Sequence, residues 1–386
     1  MPRTRKLLSI GHSYVVALNR RLVNEMALLG KGKWDVTAVA PSIMHGDLRT
    51  LKLESDPKEI CRLEKVPVYN SGRIHFMTYG WRLKEIMQQP WDLVHCWEEP
   101  YIFAGGQLAW WMPQESPLVY RTAQSKSKKY IPPFNWIEQY SMNRASAWIC
   151  SGQTVYDALR DRSGYAKPMR LIPLGVDPKH FYPSPESGQR IRQILNWDDA
   201  DIPIIGYLGR LVPEKGLTLL MNALDRLEVP WRVLFVGTGE MERELQNWSK
   251  LHPNQVRICT DVRHNEVARY LNAMDVLVAP SQTKKNWREQ FGRMLIEGLA
   301  CGVPVIGSDS GEIPYVIGQA GVVVGEKDES AWVGAISELI TNPAKRKELR
   351  ERGLEKVHSE FSWEIVARKY LDFFDEIVET NTFGRK

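Results

Sequence analysis

Short apolar runs alternate with segments of helical period along most of this chain, and that alternation restricts the fold more than any other feature. Residues 6–11 and 34–40 read as strands. Between them Leu18, Leu22, Met26 and Leu29 recur at helical spacing, and Gly30 is placed to cap that helix. A strand–helix–strand order predicts a parallel sheet with right-handed crossovers. Residues 91–100 and 117–124, each a strand with its polar exit, and residues 147–150 continue the pattern. Residues 204–208, 231–237, 256–260, 275–280 and 303–306 repeat it in the second half. The expected class is therefore α/β, with two domains of doubly wound type. Ligands on such sheets collect at the carboxyl ends of the strands, so the loops that leave those strands hold the candidate site residues.

In the second half, Glu289 and Glu297 stand eight positions apart and bracket Phe291-Gly292-Arg293, where a loop turns into a helix. The helix is expected over 294–301, with Gly302 as a left-handed cap before Pro304. Free amides at a helix start attract a phosphate, and a glycine there allows close approach. A diphosphate flanked by two hydroxyl-bearing groups fits this pattern. So does a capped surface helix with two solvated glutamates. Gly209-Arg210 and Lys215-Gly216 form a second loop, with two cations beside glycines at the end of residues 204–208. That arrangement also suits a diphosphate.

In the first half, the loop from Gly11 and His12 to Val15 is a candidate wall of the active cleft. Residues 91–100 are expected to end in a polar cluster of His95, Glu98 and Glu99. The next strand exits through Arg121, Thr122 and Gln124. Arg121 carries a planar donor fork suited to oxyanions. Lys126, Lys128 and Lys129 then precede an aromatic, proline-rich run to Trp136. That run is a candidate peripheral membrane contact or an ordinary acceptor loop. Residues 47–53 are expected to be helical. The proline- and serine-rich stretch 182–202 reads as a hinge, with Asp199 and Asp201 as a solvated turn rather than a metal site.

Several classes are excluded or weakened. The net charge of +5 is too small to argue for nucleic acid. The 5 cysteines form no CxxC or Cys/His cluster, which supports neither a disulfide framework nor zinc. No apolar run reaches the roughly 18 residues of a membrane span. These readings favour a cytoplasmic protein, with the inner membrane face as a candidate location. No GxGxxG with a following acid is present, which disfavours a nicotinamide dehydrogenase.

The stretch 273–308, with its Glu-x7-Glu pair and Gly-x-Pro-Val, resembles the donor site of glycosyltransferase family 4. Gly209-Arg210 to Glu214-Lys215-Gly216 resembles that family's G-R-x-x-x-E-K-G. Gly175-Val176-Asp177 with Phe181 and Pro183 is similar to its I-P-N-G-V-D segment, with Leu174 in place of Asn. Asp92-Leu93-Val94-His95 resembles a further family stretch. The resemblance implies a GT-B fold, two Rossmann-like domains facing across a cleft with a last helix crossing back. It implies a retaining, metal-independent hexosyltransferase of polysaccharide biosynthesis type, needing no cofactor besides a nucleoside-diphosphate sugar. It assigns donor binding to Gly209, Arg210, Lys215, Gly237, Val262, Glu289, Phe291, Gly292, Arg293 and Glu297. By the same resemblance Glu289 contacts the sugar, Glu297 the ribose, and Arg210 and Lys215 the diphosphate. Arg121 stands where the family commonly has a histidine linked to the donor sugar, and is taken as the fourth catalytic residue beside Arg210, Lys215 and Glu289. Gly11, His12, His95, Glu98, Glu99 and Gln124 are expected to bind a saccharide or lipid-linked acceptor. The expected domains are 1–180 with 362–386, and 181–361. A nucleotide-sugar epimerase and a non-catalytic nucleotide-sugar-binding subunit are the competing readings.

Overall fold

The structure is a computed structural model that describes residues 3–45, 50–160, 162, 165–197, 202–285 and 287–383. The chain divides into two compact units. Unit 1 takes Met1–Pro173 and Trp363–Lys386, and unit 2 takes Leu174–Ser362.

Unit 1 is built on a seven-stranded, wholly parallel sheet. Its strands are β1 (Arg5–Ile10), β2 (Trp34–Pro41), β3 (Arg62–Val66), β4 (Leu93–Cys96), β5 (Leu118–Thr122), β6 (Ala147–Cys150) and β7 (Met169–Leu171). They lie in the order β7-β6-β5-β4-β1-β2-β3. β4, β5 and β6 are buried along their whole length, as expected of central strands covered on both faces. Helix Arg21–Leu29 packs against the final helix, Trp363–Phe383, which also covers β1 and β2. Val366, Ala367, Tyr370, Phe373, Phe374 and Ile377 of that helix enter the core. Ile365 of the same helix is only half-buried.

Unit 2 holds a six-stranded parallel sheet of β8 (Ile204–Leu208), β9 (Arg232–Val236), β10 (Val256–Cys259), β11 (Val276–Ala279), β12 (Val305–Ser308) and β13 (Gly321–Val324). The order is β10-β9-β8-β11-β12-β13, so β8 and β11, separated in sequence by β9 and β10, lie side by side at the centre. That reversal leaves a topological switch point where their carboxyl-end loops diverge.

Three expectations are corrected. Residues 50–53, read as part of a helix, instead form Thr50–Lys52, which pairs antiparallel with Ile43–His45; Asp47 lies outside the described residues. The supposed hinge contains helix Pro185–Ile194, with Ile191, Leu195 and Trp197 buried in the core of unit 2. Pro185 sits in the first helical turn, where its missing N–H costs nothing. Asp199 and Asp201 lie outside the described residues. The first boundary falls after Pro173, not after residue 180, because the Val176 amide donates to Phe361 O at 2.8 Å and Phe181 is buried in the unit 2 core.

Candidate active site

In unit 2 the loops that leave β8, β9 and β11 are pressed together. Gly209 has φ 148° and Gly237 φ 146°, and a Cβ on Gly237 would lie 1.8 Å from Gly209 O. Gly216, with φ 73°, ends a single 3₁₀ turn, Pro213–Lys215. A Cβ there would lie 1.8 Å from Pro280 O. Only glycine satisfies both the left-handed conformation and this clearance. The tight turn fixes where Lys215 leaves the backbone.

Lys215 Nζ forms an ion pair with the Glu289 carboxylate, and both side chains are nearly buried. Ser281 Oγ donates to the same carboxylate at 3.0 Å, and the ammonium lies 5.2 Å from the Trp287 ring centroid. The Glu289 backbone is fixed as well. Its carbonyl accepts from the Glu312 amide at 3.0 Å, and Gly311, φ 59°, passes so close that a Cβ would lie 2.0 Å from that oxygen. Arg210 stays exposed, with Nη2 3.2 Å from Glu214, while its carbonyl accepts from Tyr207 Oη at 2.6 Å. The two cations are therefore each balanced by a glutamate, which the sequence did not show. Positive charge without a counter-ion comes instead from a helix start.

Helix Arg293–Ala300 opens at Gly292, φ 75°, with no side chain capping its first amides. Such an end is a ready anion site. It lies beside the β8 loop, since a Cβ on Gly209 would be 3.9 Å from Met294 Sδ. Glu297, one turn in, is buried, and burial pushes its carboxyl up to about 7 against the opposing influence of Arg293. Phe291 is buried, its ring edge-on to Phe361 at 6.1 Å, and Val262 packs half-buried on the same core.

In unit 1 the corresponding strand ends are tied by two adjacent carboxylates. Glu98, fully buried, accepts from the His12 amide at 2.6 Å, from His12 Nδ1 at 2.5 Å and from Tyr79 Oη at 2.5 Å. Burial works against both charges of the pair. The attraction between them outweighs it, raising the pKa of His12 and lowering that of Glu98. The His12 side chain is 27% exposed, and Nε2 has no partner among the described residues. Glu99 accepts from Thr122 Oγ1 at 2.7 Å and from the Ala123 amide at 2.8 Å; burial raises its pKa. Gln124 follows, buried, with neither amide atom paired among the described residues. Gly11 has no room for a side chain: a Cβ would lie 2.9 Å from Trp97 Cβ.

Two expected site residues lie elsewhere. His95 is wholly buried, with Nδ1 2.8 Å from Ser9 Oγ and its ring among Trp97, Tyr370 and Phe374. Burial, with Arg121 nearby, brings it down to about 3 and keeps it neutral. Arg121 is buried 4.1 Å over the Trp97 ring, close to Tyr370 of the last helix. The packing of that helix, which no local motif encodes, claims both residues. Tyr79, Ser281, Trp287 and Gly311 were missed. Tyr79 lies in a stretch with weak periodicity, and the other three act through loops distant in sequence.

The profile for glycosyl transferases group 1 matches residues 189–356, and that for glycosyltransferase family 4 matches residues 18–180. The GDP-mannose-dependent monoacylated alpha-(1-6)-phosphatidylinositol monomannoside mannosyltransferase of Corynebacterium glutamicum is 31% identical over 272 residues. That alignment covers 69% of this chain and 66% of the relative. Among solved structures, sucrose-phosphate synthase from Thermosynechococcus elongatus aligns with TM-score 0.72 at 22% identity, over 97% of this chain and 100% of that one. Anabaena HepE in complex with UDP aligns with TM-score 0.73 at 17% identity, over 97% and 100%. These two define the fold as GT-B. The chain belongs to glycosyltransferase family 4 and is a glycosyltransferase. Among the described residues, no helix is long and apolar enough to cross a membrane.

Proposed function

We propose that this chain moves a glycosyl group from a nucleoside-diphosphate sugar to an acceptor hydroxyl, with retention of configuration and without a metal. The observation that carries the reading is the Lys215–Glu289 ion pair beside the uncapped helix start at Gly292. The helix amides, Arg210 and Lys215 surround the diphosphate and stabilise the charge that builds on it as the bond to the sugar breaks. Binding of the diphosphate draws Lys215 toward phosphate oxygen and frees one lobe of Glu289 for sugar hydroxyls. Glu297 accepts from the ribose, and Gly237 and Val262 border the nucleotide.

The bond from the anomeric carbon to the diphosphate oxygen breaks. The bond to the acceptor oxygen forms on the same face, and the departing phosphate takes the acceptor's proton. Unit 1 supplies the acceptor side through Gly11, His12, Glu98, Glu99 and Gln124, with His12 Nε2 and the unpaired Gln124 amide as the groups free to contact a saccharide or lipid-linked acceptor. His95 and Arg121 support that wall from behind. The Corynebacterium relative is named for GDP-mannose and HepE was solved with UDP, so a donor screen starts with those two nucleotides.

The test is turnover with GDP- and UDP-sugars and a panel of glycan and lipid-linked acceptors, with the anomeric proton of the product read by NMR. Retained configuration, undiminished by a chelator, is expected. Inversion or strict metal dependence would contradict the mechanism, and epimerised donor formed without any acceptor would replace the reading.

A further inference from the structure

Two neighbouring helices of unit 1 present large apolar side chains to solvent. Phe103–Trp111 and Phe134–Arg144 pack side by side, so tightly that a Cβ on Gly106 would lie 2.6 Å from Ile137 Cγ2. Trp110, one turn beyond Gly106, is 71% exposed; Trp136 is 66% and Tyr140, one turn on, 44% exposed. Ile131, just ahead of the second helix, is 75% exposed. Phe76 joins them, its ring 5.5 Å from both Phe103 and Phe134. Scattered single apolar residues are ordinary on a surface, but a contiguous aromatic group marks a contact.

The charge around this face is predominantly basic, although an exposed acid, Glu115, lies near Arg144 at the far end of the second helix. Helix Phe103–Trp111 contains no ionisable residue. The single acid of Phe134–Arg144, Glu138, is buried against Arg162 at 2.7 Å. Exposed Lys128 and Lys129 precede Ile131, and exposed Arg73 precedes Phe76. A second copy seated by a two-fold axis would set this basic rim against itself. An anionic bilayer complements it. Tryptophan and tyrosine rings settle at the headgroup level, and lysines draw on the surface charge. Firm attachment takes two such signals together, and both are present.

We infer that this face rests on an anionic lipid surface, with Trp110, Ile131 and Trp136 inserted at the headgroup boundary and Lys128, Lys129 and Arg73 on lipid phosphates. The inference is independent of the transfer chemistry assigned above and stands or falls without it.

The test pellets the full chain with vesicles of phosphatidylcholine alone or of phosphatidylcholine with phosphatidylglycerol. Pelleting with the anionic vesicles only, reversed by salt, is expected. Lys128→Glu with Lys129→Glu is expected to lower the partition coefficient at least about twentyfold, since each lysine contributes a factor of about five. Trp110→Ser with Trp136→Ser is expected to abolish pelleting with an unchanged melting curve, because both side chains are exposed. Failure to pellet with anionic vesicles would overturn the inference. So would equal pelleting of the tryptophan variant, or a dimer in sedimentation velocity that the same variant dissolves.

Discussion

Lys215 and Glu289, 74 residues apart in sequence, meet as a nearly buried ion pair that joins the loop after β8 to the segment before helix Arg293–Ala300. Removing one partner leaves a carboxylate with only Ser281 to satisfy it. Breaking a buried pair in this way costs about 3 kcal/mol or more. Lys215→Ala is therefore expected to lower both stability and donor turnover. Lys215→Met combined with Glu289→Gln, which leaves no unpaired charge, is expected to recover most of the stability and none of the turnover. Denaturant unfolding alongside turnover separates the two effects.

Glu297 gives a pH dependence with a definite sign. Its folded pKa, about 7, lies above the ordinary carboxylate value because of burial. A group raised in this way contributes stability that is present below the unfolded value and lost as pH rises through the folded one. Glu297→Gln is therefore expected to be more stable than the parent at pH 8 and no more stable at pH 4. If the ionised carboxylate accepts from the ribose, nucleotide affinity should rise about tenfold from pH 6 to pH 8. Glu297→Gln should flatten that rise. Calorimetry in two buffers of different ionisation enthalpy would register the proton released.

Glu98 holds His12 charged, since its attraction exceeds the effect of burial. The stabilisation from the raised histidine is present below the ordinary histidine pKa and fades as pH rises through the folded value. In Glu98→Gln the histidine should lose its proton at lower pH. The alkaline limb of kcat/KM for the acceptor is then expected to move to lower pH, with KM for the acceptor raised roughly tenfold, the equivalent of about 1.4 kcal/mol. An unmoved limb would remove His12 from the acceptor site.

Gly311→Ala tests the backbone that carries Glu289. The position has φ 59° and the new Cβ would lie 2.0 Å from Glu289 O. Left-handed strain and the clash together should cost about 2 kcal/mol or more. A lower urea midpoint, with donor KM raised more than acceptor KM, is expected. Gly334→Ala, where a Cβ meets nothing within 4 Å, is the control.

Both sheets, the Gly292 helix start and the polar ends of β4 and β5 were legible because each is a local pattern of apolar period, glycine or clustered charge. What was not legible depends on contacts between distant segments. Thr50–Lys52 is a strand because it pairs with Ile43–His45, and the Leu53 amide then bonds Ser42 O at 3.0 Å, a constraint no helical pattern reveals. Pro185 read as a hinge signal, yet Ile191, Leu195 and Trp197 bury a helical face behind it. Arg210 and Lys215 read as free cations because Glu214 and Glu289 reach them only once the loops fold. His95 and Arg121 lie under Tyr370 and Phe374, on a helix some 250 residues downstream.

The most direct test of the account is calorimetric titration of GDP and of UDP into the native chain and into Lys215→Met with Glu289→Gln. One of the two nucleotides is expected to bind the native chain at a single site, and the double variant to bind it at least about tenfold more weakly. Equal affinity in a variant that still melts cooperatively would contradict the claim that Lys215 and the helix start at Gly292 together hold a diphosphate.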